Sequence, residues 1–140
     1  MATSLLNGSY MNGVQIPVIG DPVSIITSDF GDVVVAVNGT VLESKIFSLD
    51  QNLQIISEHS FNSLILDMEV IHWCDGVQYL VLAMRDGIAR IYRLPFLDDT
   101  EMSIRASNYD PTTVSYNQHS KTLLIGDSEG KIHSYKFSGM

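Results

Sequence analysis

The stretch from Tyr79 to Gly87, which reads Tyr-Leu-Val-Leu-Ala-Met-Arg-Asp-Gly, decides the fold class of this 140-residue chain. It is an apolar run of strand length that ends in a polar step and a glycine. The same pattern occurs at 32–39 and again at 122–130. The closing glycines, at positions 39, 87 and 130, are 48 and 43 residues apart. A period of about 40–50 residues is typical of a repeat built from one four-stranded sheet.

Each repeat is predicted to consist of short strands separated by turns, because β-branched and aromatic residues are dense and turn residues recur every eight to twelve positions or so. Asp86-Gly87 predicts a two-residue type I′ hairpin. The fold class is therefore all-β, with about three four-stranded blades of an incomplete β-propeller at about 20–59, 62–107 and 111–137. The predicted strands are 23–27, 33–37, 41–47 and 53–57; 64–72, 78–84, 88–94 and 102–106; and 113–116, 122–126 and 131–137.

Three blades do not close a ring, since propellers need about four to eight. Residues 1–19 are expected to be a tail or, through 14–19, the outer strand of a preceding blade. The remaining blades are expected to come from the same longer chain or from another chain, or the chain oligomerises. Each arrangement would cover the open sheet edges that otherwise promote aggregation.

The charge balance narrows the class of partner. Eight basic residues stand against 16 acidic ones, a formal net charge of −8. This sign disfavours nucleic acid and anionic membrane surfaces. The sequence shows no signal peptide and no apolar stretch long enough for a membrane span, and its one cysteine, Cys74, fits a reducing compartment. A cytoplasmic or nuclear location is expected.

The chain resembles a WD-repeat-like β-propeller, and the resemblance covers about 14–137. The turns at Asp86-Gly87 and Glu129-Gly130 are followed by Ile-Tyr-Arg and Ser-Tyr-Lys, where that family has its third strand. Tyr92 and Tyr135 take the place of its tryptophan and a basic residue follows each of them. The Gly-His pair that opens a WD repeat is absent. The resemblance therefore implies a degenerate WD-repeat-like propeller without the family's buried hydrogen-bonded tetrad.

A narrower resemblance links the segments 41–54, 66–70 and 79–87 to the amino-terminal propeller of the Rod family of kinetochore scaffolds, which act in the Rod–Zwilch complex. It implies a surface that docks a Zwilch-like subunit and a location at the kinetochore in mitosis. Propellers of vesicle-tethering and coat scaffolds resemble the same pattern and remain an alternative.

The residues that could carry chemistry form no recognised motif. The four histidines lack the spacing of a zinc site, and His72 is expected to be structural. Cys74 lies two residues after it, so the two would share a strand face, but no third orienting residue accompanies them. The run that begins at Asp127 lacks the terminal glutamate of a calcium loop, because Lys136 stands there. No catalytic, cofactor-binding or metal-binding residue is predicted.

The second repeat holds the candidate partner-binding residues. Half of the basic residues lie there, near Tyr92, Phe96 and an acidic cluster, and arginine with aromatic residues is typical of interface hot spots. The predicted partner-binding residues are Arg85, Arg90, Tyr92, Arg93, Phe96, Asp98 and Asp99.

The resulting prediction is a non-catalytic protein-interaction scaffold, the propeller portion of a larger assembly subunit. Two further readings stay open: a vesicle-tethering or coat scaffold, and a short chain that completes the propeller of a partner by strand addition. An enzyme with its site at the central channel is disfavoured, because no carboxylates, histidines or metal ligands recur on corresponding loops of the repeats.

Overall fold

The computed structural model describes residues 6–11, 13–16, 20–39, 41–105 and 111–137. Within them, the regular elements are β-strands and one short 3-10 turn at Cys74–Gly76. The strands are β1 (Asp21–Thr27), β2 (Val33–Asn38), β3 (Ser44–Leu49), β4 (Ile55–Phe61), β5 (Ile65–His72), β6 (Gln78–Met84), β7 (Ile88–Arg93), β8 (Asp98–Arg105), β9 (Pro111–Asn117), β10 (Thr122–Asp127) and β11 (Ile132–Lys136).

The strands form three antiparallel sheets in which neighbours along the chain are neighbours in space. The orders are β1-β2-β3-β4, β5-β6-β7-β8 and β9-β10-β11. This is the all-β arrangement of successive blades that the repeat predicts, with three strands of the third sheet among the described residues. The sheets share an upper end, with the β2–β3, β4–β5, β6–β7 and β10–β11 connections, and a lower end, with the β1–β2, β3–β4, β5–β6, β7–β8 and β9–β10 connections.

The second sheet lies between the other two and is buried on both faces. Along β6, Leu80, Leu82 and Met84 pack toward the first sheet, while Val81 and Ala83 pack toward the third. A strand buried on both faces needs a continuous apolar run rather than alternation. The sequence of β6 predicts this burial, and the structure confirms it.

The first sheet has a second apolar face on its far side. Val35, Val37, Phe47 and Leu49 form a separate buried cluster there, and Ile16 packs against it. Residues 14–16, for which a tail and an outer strand were both expected alternatives, have no strand structure, and 17–19 lie outside the described residues. Residues 14–16 instead line, with this face, a cavity of about 470 Å³.

Two strands of the first sheet begin later than predicted. The prediction placed a strand at 41–47, but β3 begins at Ser44, because Val41 and Leu42 are in the β2–β3 turn. The two side chains are 68% and 60% exposed. The prediction was wrong here because apolar residues occupy a turn. The next strand, predicted at 53–57, also begins later and is β4, Ile55–Phe61.

Strand β8 begins earlier than the predicted 102–106. Asp98 and Asp99 pair with Arg93 and Tyr92 of β7, so the acidic cluster is part of the outer strand and not a loop. A bulge interrupts the pairing between Arg90 and Tyr92, and Glu101 has a φ of +61°. Residue 106 lies outside the described residues.

The prediction of a type I′ turn at Asp86-Gly87 was wrong. Only Gly87 has a positive φ there, +87°, and its N–H donates to the Met84 carbonyl at 3.1 Å. The loop therefore has three residues, a turn followed by a left-handed glycine, which is the next most common hairpin. The β10–β11 connection ends in the same way at Gly130, with a φ of +82°.

Candidate functional site

The seven residues predicted to bind a partner do not form one site. Arg85 and Arg90 lie toward the upper end of the second sheet, whereas Arg93 closes β7 at the lower end. At about 3.3 Å per residue, the two ends of β7 are about 17 Å apart, and Arg90 lies about 10 Å from Arg93 along the strand. Phe96, Asp98 and Asp99 follow at the lower end and the start of β8.

At the upper end, a groove of about 420 Å³ lies between the first two sheets. We call it the upper groove, and its lining comes from the β2–β3 turn, the end of β4, the β4–β5 turn, the β6–β7 turn and β7. The lining residues are Leu42, Ser60, Phe61, Asn62, Ser63, Arg85, Asp86 and Arg90.

Hydrogen bonds hold the three connections around the upper groove together. The Ser44 hydroxyl donates to the Ser63 carbonyl at 2.5 Å, which ties β3 to the β4–β5 turn. The Ser63 hydroxyl accepts from the Asp86 N–H at 3.1 Å, and the Leu64 carbonyl accepts from the Arg85 N–H at 2.9 Å. These hydrogen bonds join β3 and the β6–β7 turn to the β4–β5 turn. The shape of the groove therefore depends on both sheets and not on one loop alone.

The charged wall of the upper groove is ordered by Asp86. Its Oδ2 accepts from Nη2 of Arg90 at 2.9 Å and its Oδ1 from Nη1 at 3.2 Å, a bidentate pair. Oδ1 also accepts from the Ile88 N–H at 3.1 Å. Because both side chains are about one-third exposed, the pair contributes little to stability, about 0–1 kcal/mol. Its main effect is to fix the plane of the Arg90 guanidinium.

The apolar wall of the upper groove includes a strained residue. Leu42 has a φ of +37°, in the left-handed region that costs a non-glycine residue about 1–2 kcal/mol. The adjacent backbone bond from the Gly39 N–H to the Glu43 carbonyl, at 2.7 Å, closes this turn. Phe61 is half-buried opposite, so an exposed and a half-buried apolar side chain share one groove.

Tyr92 lies in the core and not on the surface, with 5% of its area exposed. Its ring packs on His59, with centroids 4.9 Å apart, and edge-on against Phe61 at 6.0 Å. Burial raises the pKa of the Tyr92 hydroxyl, and the charge of Asp99 raises it further, while Arg90 opposes the shift. Through Phe61, Tyr92 supports the upper groove from below.

At the lower end, Phe96 is 58% exposed, and Arg93 and Asp98 face each other across β7 and β8. Asp99 accepts from the Glu101 N–H at 2.8 Å and is exposed. We call Arg93, Phe96, Asp98 and Asp99 the lower patch. It is a mixed-charge surface around one aromatic side chain.

The structure does not place His72 and Cys74 on one strand face, as the sequence predicted. His72 Nδ1 pairs with Asp29 of the first sheet at 3.0 Å, while Cys74 lies beyond the strand, in the 3-10 turn. The Cys74 thiol instead has Lys121 Nζ at 3.7 Å. His72 is therefore a link between sheets, as a structural histidine would be, and its carbonyl accepts from Gln118 at 2.8 Å.

Sequence reasoning missed a buried pair at the β10–β11 turn. Asp127 Oδ2 lies 2.8 Å from Nε2 of His133, and the aspartate side chain is 1% exposed. Its Oδ1 accepts from the N–H groups of Glu129 and Lys131 at 2.9 and 3.0 Å. The sequence did contain a signal for this turn: Asp127 stands three residues before Gly130, and aspartate is favoured at the first position of such turns.

Across the described ranges, no group of three or more histidine, cysteine, aspartate or glutamate side chains could hold a metal ion. Nor does any helix in the described part of the chain have the length and apolar character needed to cross a membrane.

No protein-family model and no curated protein matches this chain. Solved structures do. The chain is similar to the C-terminal WD40 domain of Sif2, with a TM-score of 0.67 and 15% identity over 84% of this chain and 34% of that one. Raptor from Chaetomium thermophilum gives a TM-score of 0.65 and 21% identity over 84% of this chain and 12% of that one.

BBS1N, in complex with ARL6DN, gives a TM-score of 0.62 and 17% identity over 94% of this chain and 41% of that one. The chain therefore spans less than half the length of each of these chains. At such identities the likeness concerns the fold. Together with the three sheets, it shows that the described chain has the fold of part of a WD40-type β-propeller.

Proposed function

We propose that this chain is the propeller portion of a protein-interaction scaffold and contributes no chemistry of its own. The upper groove carries the proposal: apolar Leu42 and Phe61 lie beside Arg85 and Arg90 on a frame bonded between two sheets. Arginine beside apolar surface is typical of interface hot spots. The BBS1N structure, a neighbour in fold, contains a protein partner.

Within that class, the proposal extends to a Rod-like scaffold that assembles with a Zwilch-like subunit at the kinetochore. Its support is the resemblance of 41–54, 66–70 and 79–87 to Rod-family propellers. In the structure, 79–87 forms β6 and the turn that carries Arg85 and Asp86, so this resemblance includes part of the groove wall.

The test is to tag the endogenous protein, measure its mass, follow it through mitosis and identify the proteins that copurify at equal stoichiometry. Kinetochore signal and a Zwilch-like partner are the expected result. A signal on vesicles or coats would contradict the kinetochore assignment but would still support the scaffold function. A cofactor or metal copurifying at equal stoichiometry would contradict the scaffold itself.

A second candidate is a chain whose ring is completed by another polypeptide. The far face of the first sheet favours it, because Val35, Val37, Phe47 and Leu49 form an apolar face of the kind that packs on a neighbouring blade, and Ile16 packs against it in the described chain. An endogenous mass near the 15.5 kDa of this chain, with a propeller protein copurifying, would support it. A much larger mass would favour blades from one chain.

A further inference from the structure

We propose that the first and third sheets of this chain pack on a second copy of it, so that six sheets from two copies close one ring. The inference rests on the second candidate above, in which another polypeptide completes the ring, and it names that polypeptide. Three features support it: the far face of the first sheet, the far face of the third sheet and the outer edge of β11.

The far face of the first sheet has the character of a face that another sheet covers. A shift of 47 positions aligns its residues in 33–37 with residues in 80–84 that pack toward the preceding sheet. On β1, Ile25 takes the place that Met68 takes on β5. Met68 is 4% exposed, whereas Ile25 is 63% exposed. The first sheet therefore lacks the neighbour that the second sheet has on this side.

The far face of the third sheet matches the opposite face of the second sheet. A shift of 43 positions aligns three of its residues with three of the second sheet: Leu124 with Val81, Gly126 with Ala83, and Ile132 with Ala89. The three residues of the second sheet are 0% exposed in the cluster that joins it to the third. Ile132, by contrast, is 71% exposed. The third sheet therefore presents a face on which a further sheet would pack.

The two open faces are complementary in the way that the second and third sheets already are. Where those two sheets meet, Val81 and Ala83 share a cluster with Leu123 and Ile125. Leu123 and Ile125 stand 90 positions after Val33 and Val35 of the first sheet's far face. A contact from the third sheet of one copy to the first sheet of another would thus repeat an interface that the chain already forms. Because one chain carries both halves, two copies can make this contact twice around a two-fold axis.

The outer edge of β11 lacks a fourth strand within the described ranges. In the other two sheets β3 pairs with β4 and β7 with β8, whereas the described partner of β11 is β10. The outer strand β4 leads directly into β5, the first strand of the next sheet. The residues before β1, described at 6–11 and 13–16, hold the same place in the chain but form no strand. In the ring of two copies this segment lies beside β11 of the other copy, where it can pair by strand addition.

The chain's own segment covers its first sheet incompletely. Ile16 packs against the far face, but a cavity of about 470 Å³ remains between this segment and the sheet. A second copy would fill that space with a whole sheet. Six sheets also fall within the range of about four to eight that closes a propeller.

The experiment is the native mass of the purified 140-residue chain, measured by light scattering over a range of protein and salt concentrations. The expected mass is twice the 15.5 kDa of one chain. Since the contact is apolar and each copy carries a net charge of −8, the dimer should persist as salt rises. A monomer, or polymers that grow with protein concentration, would overturn the inference.

Two variants alter one open face each. Ile25→Glu and Ile132→Glu change side chains that are exposed in the single chain, so the fold should persist, which circular dichroism checks. Each should weaken the dimer by about a hundredfold or more, because the ring would bury the added charge in both copies. Phe96→Glu is the matched control, since Phe96 is 58% exposed in the β7–β8 connection of the second sheet. Equal weakening by this control would overturn the assignment to the open faces.

A mixture of the two variants tests which faces meet. A dimer that contains one copy of each has one unaltered contact and one contact altered on both sides. The mixture should therefore dimerise more strongly than either variant alone. No gain on mixing would overturn the contact between the third sheet and the first.

Failure of this inference can be told from failure of the proposed function. A monomer that copurifies with a different propeller protein, or blades of one longer chain on both faces, would overturn the second copy and still support the scaffold. Conversely, a dimer that follows these variants in a protein absent from kinetochores would support the ring and remove only the kinetochore assignment.

Discussion

Asn38 is predicted to be the main polar link between the first two sheets. Its Nδ2 donates to the Ile65 carbonyl and its Oδ1 accepts from the Ile65 N–H, both at 2.9 Å. Ile65 opens β5, which is an edge strand of its sheet, and is 1% exposed. The asparagine therefore serves two backbone groups that point away from the rest of their own sheet.

Replacing Asn38 by alanine should leave both backbone groups of Ile65 unpaired. A buried donor or acceptor without a partner costs about 1–3 kcal/mol. Since Asn38 is half-buried, water will reach part of the gap, and we expect a loss of about 2–4 kcal/mol in the free energy of unfolding. That is a large part of the roughly 5–15 kcal/mol that stabilises a typical domain.

Urea denaturation of the purified protein measures this loss. With a slope of about 2 kcal/mol per molar urea, the midpoint should fall by about 1–2 M. Asn38→Asp should also destabilise, because its carboxylate faces the Ile65 carbonyl. Relative to wild type at the same pH, that variant should recover as the pH falls, since the protonated acid can donate again.

Asn52→Ala is the matched control, because that side chain is exposed and should cost less than about 0.5 kcal/mol. An Asn38→Ala midpoint within the error of the Asn52→Ala midpoint would refute the reasoning. It would mean that Asn38 adds little to the apolar faces and to the other polar links between these sheets, such as His72 with Asp29.

The remaining predictions concern tyrosines and one buried acid. Tyr116→Phe should be neutral or stabilise by about 1 kcal/mol, because its hydroxyl oxygen is buried without a hydrogen-bond partner among the described residues; a loss above that size in urea melts would contradict it. Asp127→Ala should cost about 2–4 kcal/mol, since it removes the partner of His133 and the acceptor of two backbone N–H groups; His133→Ala should cost less, and the reverse order would contradict the assignment. The raised pKa of Tyr92 means that the folded protein holds a proton that the unfolded chain releases above about pH 10, so stability should fall as the pH rises beyond that value. Tyr92→Phe should make the fall shallower in melts taken across that range, and an unchanged slope would rule Tyr92 out as a source.

The position of the partner surface depended on features that the sequence pattern did not reveal. All seven predicted residues lie in one repeat, yet β7 separates Arg90 from the lower patch, and Tyr92 faces the core. Alternation along a strand indicates which side chains share a face of the sheet. In the second sheet, however, both faces are covered by neighbouring sheets. The pattern therefore did not say which side chains remain at the surface.

Leu42 and Phe61 illustrate the same limit from the first repeat. The prediction placed residue 42 in a strand, and no signal joined it to Arg85, which is 43 positions away. Their common groove results from the stacking of two sheets and the bonds of Ser63. The turn of Gly87 was likewise set by backbone geometry, since Asp-Gly is compatible with more than one hairpin loop.

What the sequence by itself determined was the repeat, the all-β class and the order of the strands, because these depend on apolar runs and turn residues within a few positions of one another. Only the tertiary structure decided the links between sheets, such as Asn38 with Ile65 and His72 with Asp29, and the walls of the upper groove. The contacts of Asn38 with Ile65 and of His72 with Asp29 join residues 27 and 43 positions apart, and such partners are determined by how the sheets stack. Local pattern carries no information about that stacking, because the same apolar strand packs equally well on many neighbours.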